Sequence, residues 1–159
     1  MRRYQWSRNQ FKLDRYAEYF VKMEFILSGF DVYSNEVDNQ GIDFIVRAGT
    51  NKYYDIQVKS VRNYNNIYFP KDKFSPRENL YAAVVLFIES EPPFLYLIPS
   101  LVWNNPDDIF INLDYEGLSN KPEWGMNLSR EKLPLLEQYI FTEIVEELKN
   151  NDLYTLANE

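Results

Sequence analysis

The order of apolar and polar positions predicts a chain that begins with a helix, continues through several strands and closes with a second helix. Residues 11–27 lack Gly and Pro, and their apolar side chains recur at three- and four-residue spacing, which indicates a helix that ends near Gly29. The closing helix is predicted over residues 133–148, with Pro134 in its first turn. Short apolar runs predict strands at residues 30–33, 42–47, 53–61, 80–88 and 94–98.

This order of elements predicts an α/β or α+β fold with a mixed central sheet. The run at 80–88 is almost continuously apolar, as expected for a strand that is buried on both faces. Residues 63–79 are polar and contain two prolines, so we expect an irregular connection there. We expect one domain over residues 1–159, with its core at about 11–100 and a loop-rich and helical extension over 101–159.

The amino-acid composition narrows the possible chemistry. The chain contains no His and no Cys, which excludes imidazole bases, thiolate nucleophiles, disulfides and the usual zinc sites. Catalysis would have to use carboxylates, Lys, hydroxyl groups, amides or a metal held by oxygen ligands. Aromatic residues make up 17% of the chain, so a large core can be buried.

The net charge of −7 is unevenly distributed along the chain. Residues 1–79 hold 13 basic and 10 acidic side chains, a net charge of +3, whereas residues 80–159 carry −10. The total charge opposes nucleic-acid binding, but the basic half can still bind phosphate. The acidic half is either a solvated surface or a surface for a protein partner. Because no membrane span and no secretory signal are recognised, we expect a cytoplasmic protein.

Two neighbouring predicted strands carry the polar side chains of greatest chemical interest. If the turn between them spans residues 48–52, Asp43 lies opposite Gln57, and Lys59 shares the same face. A turn of four residues would instead place Ile56 opposite Asp43. Carboxylate and amide oxygens suit Mg²⁺, and a neighbouring Lys can orient water or stabilise negative charge on a phosphate. The alternative is a solvent-facing sheet edge with ordinary polar residues.

The order and spacing of four short segments resemble the PD-(D/E)xK nuclease superfamily, which includes archaeal Holliday-junction resolvases and restriction-endonuclease-like domains. The segments are Ala17-Glu18, Gly29-Phe30, Gly41-Ile42-Asp43 and Gln57-Val58-Lys59. The resemblance covers about residues 11–100. It implies a restriction-endonuclease-like mixed central sheet flanked by helices, and an endonuclease that hydrolyses DNA with Mg²⁺ or Mn²⁺. It also implies a possible homodimer, as in resolvase-like relatives.

The same resemblance implies roles for individual residues. Glu18, Asp43 and Gln57 would be metal ligands, and Lys59 would be the catalytic base or an electrostatic stabiliser. Two positions depart from the family pattern, because Ile42 stands where the family has Pro and Gln57 replaces the usual Glu. The lost negative charge makes a catalytically inactive module, which binds nucleic acid or a protein partner, the alternative function.

Further residues extend the predicted site. Glu24 is an alternative to Glu18 as the ligand from the first helix, and Glu36 and Asp38 could bind a second metal ion. Cations that follow the predicted catalytic strand suit phosphate contacts; these are Arg62, Lys71, Lys73 and Arg77. Aromatic side chains interleave with them and would either stack on bases or cover the core; these are Tyr64, Tyr68, Phe69 and Phe74.

Overall fold

The computed structural model describes residues 4–36 and 41–158, with side chains as far as residue 150. Within these residues the chain forms two α-helices and eight strands. Their order is α1 (Gln10–Leu27), β1 (Asp31–Ser34), β2 (Phe44–Ala48), β3 (Lys52–Arg62), β4 (Ile67–Pro70), β5 (Leu80–Phe87), β6 (Phe94–Pro99), β7 (Phe110–Leu113), β8 (Glu123–Met126) and α2 (Phe141–Asn158).

The central sheet has five strands in the order β1-β2-β3-β5-β6. β3 and β5 run parallel, whereas the other neighbouring pairs are antiparallel, so the sheet is mixed. The predicted α/β fold class with a mixed central sheet is therefore confirmed. β3 is the longest strand and lies in the middle of the sheet, and β5 is buried along most of its length, as its apolar run predicts.

The two faces of this sheet are covered by different layers. α1 and α2 both pack on one face, where the core contains Phe25 from α1 and Phe141 from α2. The other face is covered by a three-stranded sheet in the order β4-β8-β7 and by the fully buried Trp103. Alternate side chains of β5 enter each core, because Val85 faces the helices and Val84 faces the small sheet. The C-terminal segments thus complete both cores.

From Phe44 to Ala48, the hairpin between β2 and β3 has the register predicted for a turn over residues 48–52. Arg47 pairs with Tyr53 and Phe44 pairs with Ile56, so the register of a four-residue turn is excluded. Gly49 in the turn has a φ of 64°, a conformation that glycine adopts without steric cost. Since β2 begins only at Phe44, the part of β3 after Ile56 extends beyond its neighbour and leaves an open strand edge.

Two predictions of secondary structure were wrong. The connection at 63–79 contains β4, which pairs with β8 about 60 residues later. The closing helix begins at Phe141 rather than at residue 133, because Arg130–Tyr139 form a 3₁₀ segment that contains Pro134. Ile140 then adopts an extended conformation and pairs with Tyr96 of β6. In the described part of the chain, neither helix is long and apolar enough to cross a membrane.

Candidate active site

A polar pocket of about 370 Å³ opens at the exposed edge of β3, beyond the start of β2. We call it the active pocket. Its walls come from α1, from the residue before β2 and from β3, and they comprise Gln10, Asp14, Glu18, Asp43, Val58, Lys59 and Ser60. Three of the four predicted catalytic residues, Glu18, Asp43 and Lys59, are therefore brought together around one space.

Asp43 is fixed to the strand edge by two hydrogen bonds. Its backbone N–H donates to the carbonyl of Ile56 at 2.9 Å, and because Ile56 is already paired with Phe44, Asp43 lies one residue out of the β2–β3 register. Its Oδ2 accepts a 2.6 Å hydrogen bond from the N–H of Val58. Because the N–H and C=O of one strand residue point to the same side, the Val58 carbonyl also faces this edge. Carboxylate and carbonyl oxygens are thus presented side by side.

The chain approaches Asp43 through a close contact at Gly41. Gly41 has a φ of 75°, and a Cβ atom there would lie 2.7 Å from the carbonyl oxygen of Lys73. Only glycine fits this position without displacing the neighbouring backbone. The Gly41 segment therefore ties the position of Asp43 to the loop between β4 and β5.

Lys59 brings a cation into a partly desolvated position. Burial lowers the pKa of its ammonium group, while the negative charges of Asp43, Asp14 and Glu123 oppose this shift. Its Nζ also lies 5.5 Å from the centre of the Phe69 ring. A Lys with a lowered pKa that lines a pocket can stabilise an anion in its charged form or exchange a proton.

Glu18 projects from α1 into the active pocket and already has cationic neighbours. Its Oε1 lies 3.4 Å from Nζ of Lys22, and its Oε2 lies 3.8 Å from Nη1 of Arg15. Glu24 is partly buried and does not line the pocket. Of the two acids considered on the first helix, the geometry favours Glu18.

Asp14 is a pocket residue that sequence reasoning missed. It lies one helical turn before Glu18, on the same side of α1, and it accepts hydrogen bonds from Ser60 Oγ at 2.5 Å and from Gln10 Nε2 at 2.7 Å. These bonds join α1 to the end of β3. The i, i+4 spacing of Asp14 and Glu18 is the signal that could have found it.

Gln57 is placed differently from the other predicted site residues. Its side chain is only 7% exposed, and it does not line the active pocket. Its Oε1 is buried without a hydrogen-bond partner in the described part of the chain. A buried amide oxygen without a partner is costly, so it suits an electropositive neighbour.

The donor chemistry of the site suits a hard divalent cation that keeps several water ligands. Mg²⁺ binds through one or two carboxylates and retains water, and the walls offer the carboxylates of Glu18 and Asp43. The unpaired Gln57 oxygen adds a neutral donor nearby. Among residues 4–36 and 41–158, no three His, Cys, Asp or Glu side chains are grouped closely enough to hold a metal ion by themselves. Glu36 is exposed and does not line the pocket, and Asp38 lies outside the described residues.

Two of the four predicted nucleic-acid-binding cations are neutralised by carboxylates. Lys71 binds Asp114 at 2.5 Å and lies over the ring of Trp124. Arg77 binds Asp55 at 2.7 Å. A phosphate would have to replace these contacts.

The other two predicted cations are more available to bind a phosphate. Lys73 is exposed and close enough to Lys59 to contribute to the lowered pKa of Lys59. Arg62 stands at the end of β3, and its Nη2 is 3.8 Å from Glu89. Of the interleaved aromatic side chains, Phe69 and Phe74 belong to the core, so they do not stack on bases.

Tyr68 is 41% exposed and Tyr64 is partly buried.

Comparison with known proteins finds similarity among solved structures. No family model matches the chain, and no curated protein matches it. The chain is similar to the structure of Archaeoglobus fulgidus Hjc, a Holliday junction resolvase from an archaeal hyperthermophile. The similarity has a TM-score of 0.47 and a sequence identity of 16%, and it covers 77% of this chain and 88% of the resolvase.

Proposed function

We propose that this protein is a metal-dependent phosphodiesterase that hydrolyses DNA. The observation that carries the proposal is the convergence of Glu18, Asp43 and Lys59 on one polar pocket at an open strand edge. Two carboxylates and a cation are the groups that phosphodiester hydrolysis with a divalent metal requires. The absence of His and Cys leaves oxygen-ligand metal chemistry as the suitable class.

Glu18, Asp43 and Gln57 would hold Mg²⁺ or Mn²⁺. When bound, the cation supplies charge neutralisation for the phosphate and lowers the pKa of water. Asp43 is held in place by the Val58 N–H, so its carboxylate does not need to reorganise during the reaction. Lys59 stabilises the negative charge that develops on the phosphate oxygens, and partial burial strengthens this interaction.

A second candidate function is a nuclease-like module that binds nucleic acid without cleaving it. Two observations favour it. The Glu18 carboxylate is in contact with Lys22, and Gln57 offers no charge and lies away from the pocket wall. Both features weaken the attraction of the site for a divalent cation. A homodimer, a protein partner for the acidic half and a cytoplasmic location remain predictions from the sequence.

The test is cleavage of labelled duplex, single-stranded and branched DNA by the purified protein in Mg²⁺, in Mn²⁺ and in EDTA. We expect metal-dependent cleavage that Asp43→Ala abolishes and that Asp108→Ala, a change at an exposed loop carboxylate, leaves unchanged. No cleavage by the wild type, or equal cleavage by Asp43→Ala, would overturn the proposal. DNA binding without cleavage would establish the second function instead.

A further inference from the structure

A second polar groove continues from the active pocket along the end of β3. It has a volume of about 440 Å³ and is lined by Arg8, Arg62, Asn63, Asn65 and Asn66. We call it the amide groove. We infer that a DNA strand held in the active pocket continues through the amide groove, where Arg8 and Arg62 bind a phosphate several nucleotides away from the scissile one. This inference rests on the proposed function, because it extends the substrate from that site.

The two spaces are continuous. Gln10 and Ser60 line both the active pocket and the amide groove. β3 leads from Val58 in the first to Arg62 in the second, and four residues of strand span about 13 Å. That distance corresponds to about four nucleotides at the axial rise of about 3.4 Å per nucleotide in a B-form strand. A DNA strand that is bound in the active pocket can therefore reach the amide groove.

The two arginines are more available for phosphate than Lys71 and Arg77. Arg8 is exposed and forms no ion pair with a described residue. Arg62 has a carboxylate contact with Glu89, at 3.8 Å, close to the limit for an ion pair. Lys71 and Arg77, by contrast, hold carboxylates at 2.5 and 2.7 Å. The planar guanidinium group binds phosphate with two parallel hydrogen bonds.

Apart from Val61, the rest of the groove has neutral side chains with both donor and acceptor groups. Asn63 begins the turn after β3 with a φ of 62°, and Asn65 Nδ2 donates to the Arg62 carbonyl at 2.8 Å. No carboxylate is among the residues that line the amide groove, whereas the active pocket has three. The carboxylates suit a metal cation in the active pocket, whereas the arginines of the amide groove suit a phosphate of the same DNA strand.

Binding without cleavage tests the groove directly. The experiment measures fluorescence anisotropy of a labelled DNA oligonucleotide with full-length protein in EDTA at several salt concentrations. Arg8→Ala and Arg62→Ala should each raise the Kd at least fivefold, and each should lower the slope of log Kd against log salt by about 0.7–0.9. Lys52→Ala removes a cation from the opposite end of β3 and should leave both unchanged.

A second readout separates this inference from the proposed function. Bis(p-nitrophenyl) phosphate is small enough to occupy only the active pocket, so Arg62→Ala should lower cleavage of the oligonucleotide at sub-saturating concentration by a larger factor than hydrolysis of this compound. If the wild type hydrolyses neither substrate, the proposed function fails, and the anisotropy comparison still decides the groove. Wild-type affinity in both arginine variants, or equal weakening by Lys52→Ala, would overturn the inference. If Arg62→Ala does not fold, Arg8→Ala decides, because Arg8 is exposed and precedes α1.

Discussion

The buried, unpaired oxygen of Gln57 leads to a prediction that links stability to metal binding. Gln57→Met keeps the length of the side chain and removes its polar atoms. Because Oε1 has no hydrogen-bond partner in the described residues, the substitution removes the cost of an unsatisfied buried group. We therefore expect Gln57→Met to stabilise the protein when divalent metal is absent.

The magnitude follows from the burial of the group. A buried polar atom without a partner costs about 1–3 kcal/mol, and Gln57 is 7% exposed. Allowing for imperfect packing of the sulfur, we expect the free energy of unfolding in EDTA to rise by about 1 kcal/mol. For a chain of this size, that corresponds to an increase in Tm of about 2–4 °C.

Bound Mg²⁺ should stabilise the wild type more than Gln57→Met. A ligand that binds only the folded state at 100 times its Kd stabilises that state by about 2.7 kcal/mol. If the Gln57 oxygen helps to hold the cation, the wild type gains more from Mg²⁺ than Gln57→Met does. The stability advantage of the variant should therefore shrink or reverse in Mg²⁺.

The assay is urea unfolding of the wild type and Gln57→Met, in EDTA and in saturating Mg²⁺. Gln138→Met is the control, since Gln138 is exposed, and its effect should stay within about 0.5 kcal/mol in both buffers. Loss of more than about 1 kcal/mol by Gln57→Met in EDTA would refute the argument from the unpaired oxygen. Equal stabilisation of both proteins by Mg²⁺ would refute a role of Gln57 as a metal ligand.

Three further predictions concern the surroundings of the site and the core. Burial lowers the pKa of Lys59 in the folded state, so between the folded and unfolded pKa values the unfolded chain binds more protons than the folded protein. In urea unfolding, the stability of the wild type relative to Lys59→Met should therefore rise with pH up to about 10.4, the pKa of an unperturbed Lys. Gly41→Ala should lower the free energy of unfolding by at least about 1 kcal/mol more than Gly29→Ala. Both glycines have a positive φ, but only at Gly41 would a Cβ atom meet a backbone oxygen, that of Lys73, so equal losses would contradict this close approach. Trp103→Ala should cost about 3–5 kcal/mol in the same assay, since the side chain is fully buried, and a loss below about 1 kcal/mol would contradict its place in the core.

The parts of the site that could be predicted depend on local rules. Alternation along two strands and a short turn containing Gly49 fix the register that pairs Arg47 with Tyr53 and Phe44 with Ile56. The spacing of helical residues allowed Glu18 to be assigned to the first helix, and the structure brings it to the same pocket as Lys59. These relations span few residues, so the hydrophobic pattern and turn geometry suffice.

The parts that could not be predicted depend on contacts between distant segments. β4 and β8 are short and pair across about 60 residues, and β8 contains Gly125, so neither has a strong local strand signal. The start of α2 is set by the pairing of Ile140 with Tyr96. Ion pairs such as Arg77 with Asp55 likewise join segments whose proximity only the fold establishes.

Asp14 is different, because a local signal for it existed. Its four-residue spacing from Glu18 indicates a common helix face. Gln57 shows the limit of strand alternation. Alternation places Gln57 on the same face of β3 as Lys59, but whether the Gln57 oxygen reaches the active pocket depends on packing around β3.

Single-turnover DNA cleavage in Mg²⁺ at saturating enzyme, comparing Lys59→Ala with Lys52→Ala, tests whether this pocket is the catalytic centre. Both substitutions remove one Lys from β3, but only Lys59 lines the active pocket. If Lys59 stabilises the charge that develops on the phosphate, its loss should slow cleavage by about 100-fold or more, while Lys52→Ala cleaves at the wild-type rate. Equal rates for the two variants would contradict the assignment of this pocket as the catalytic centre.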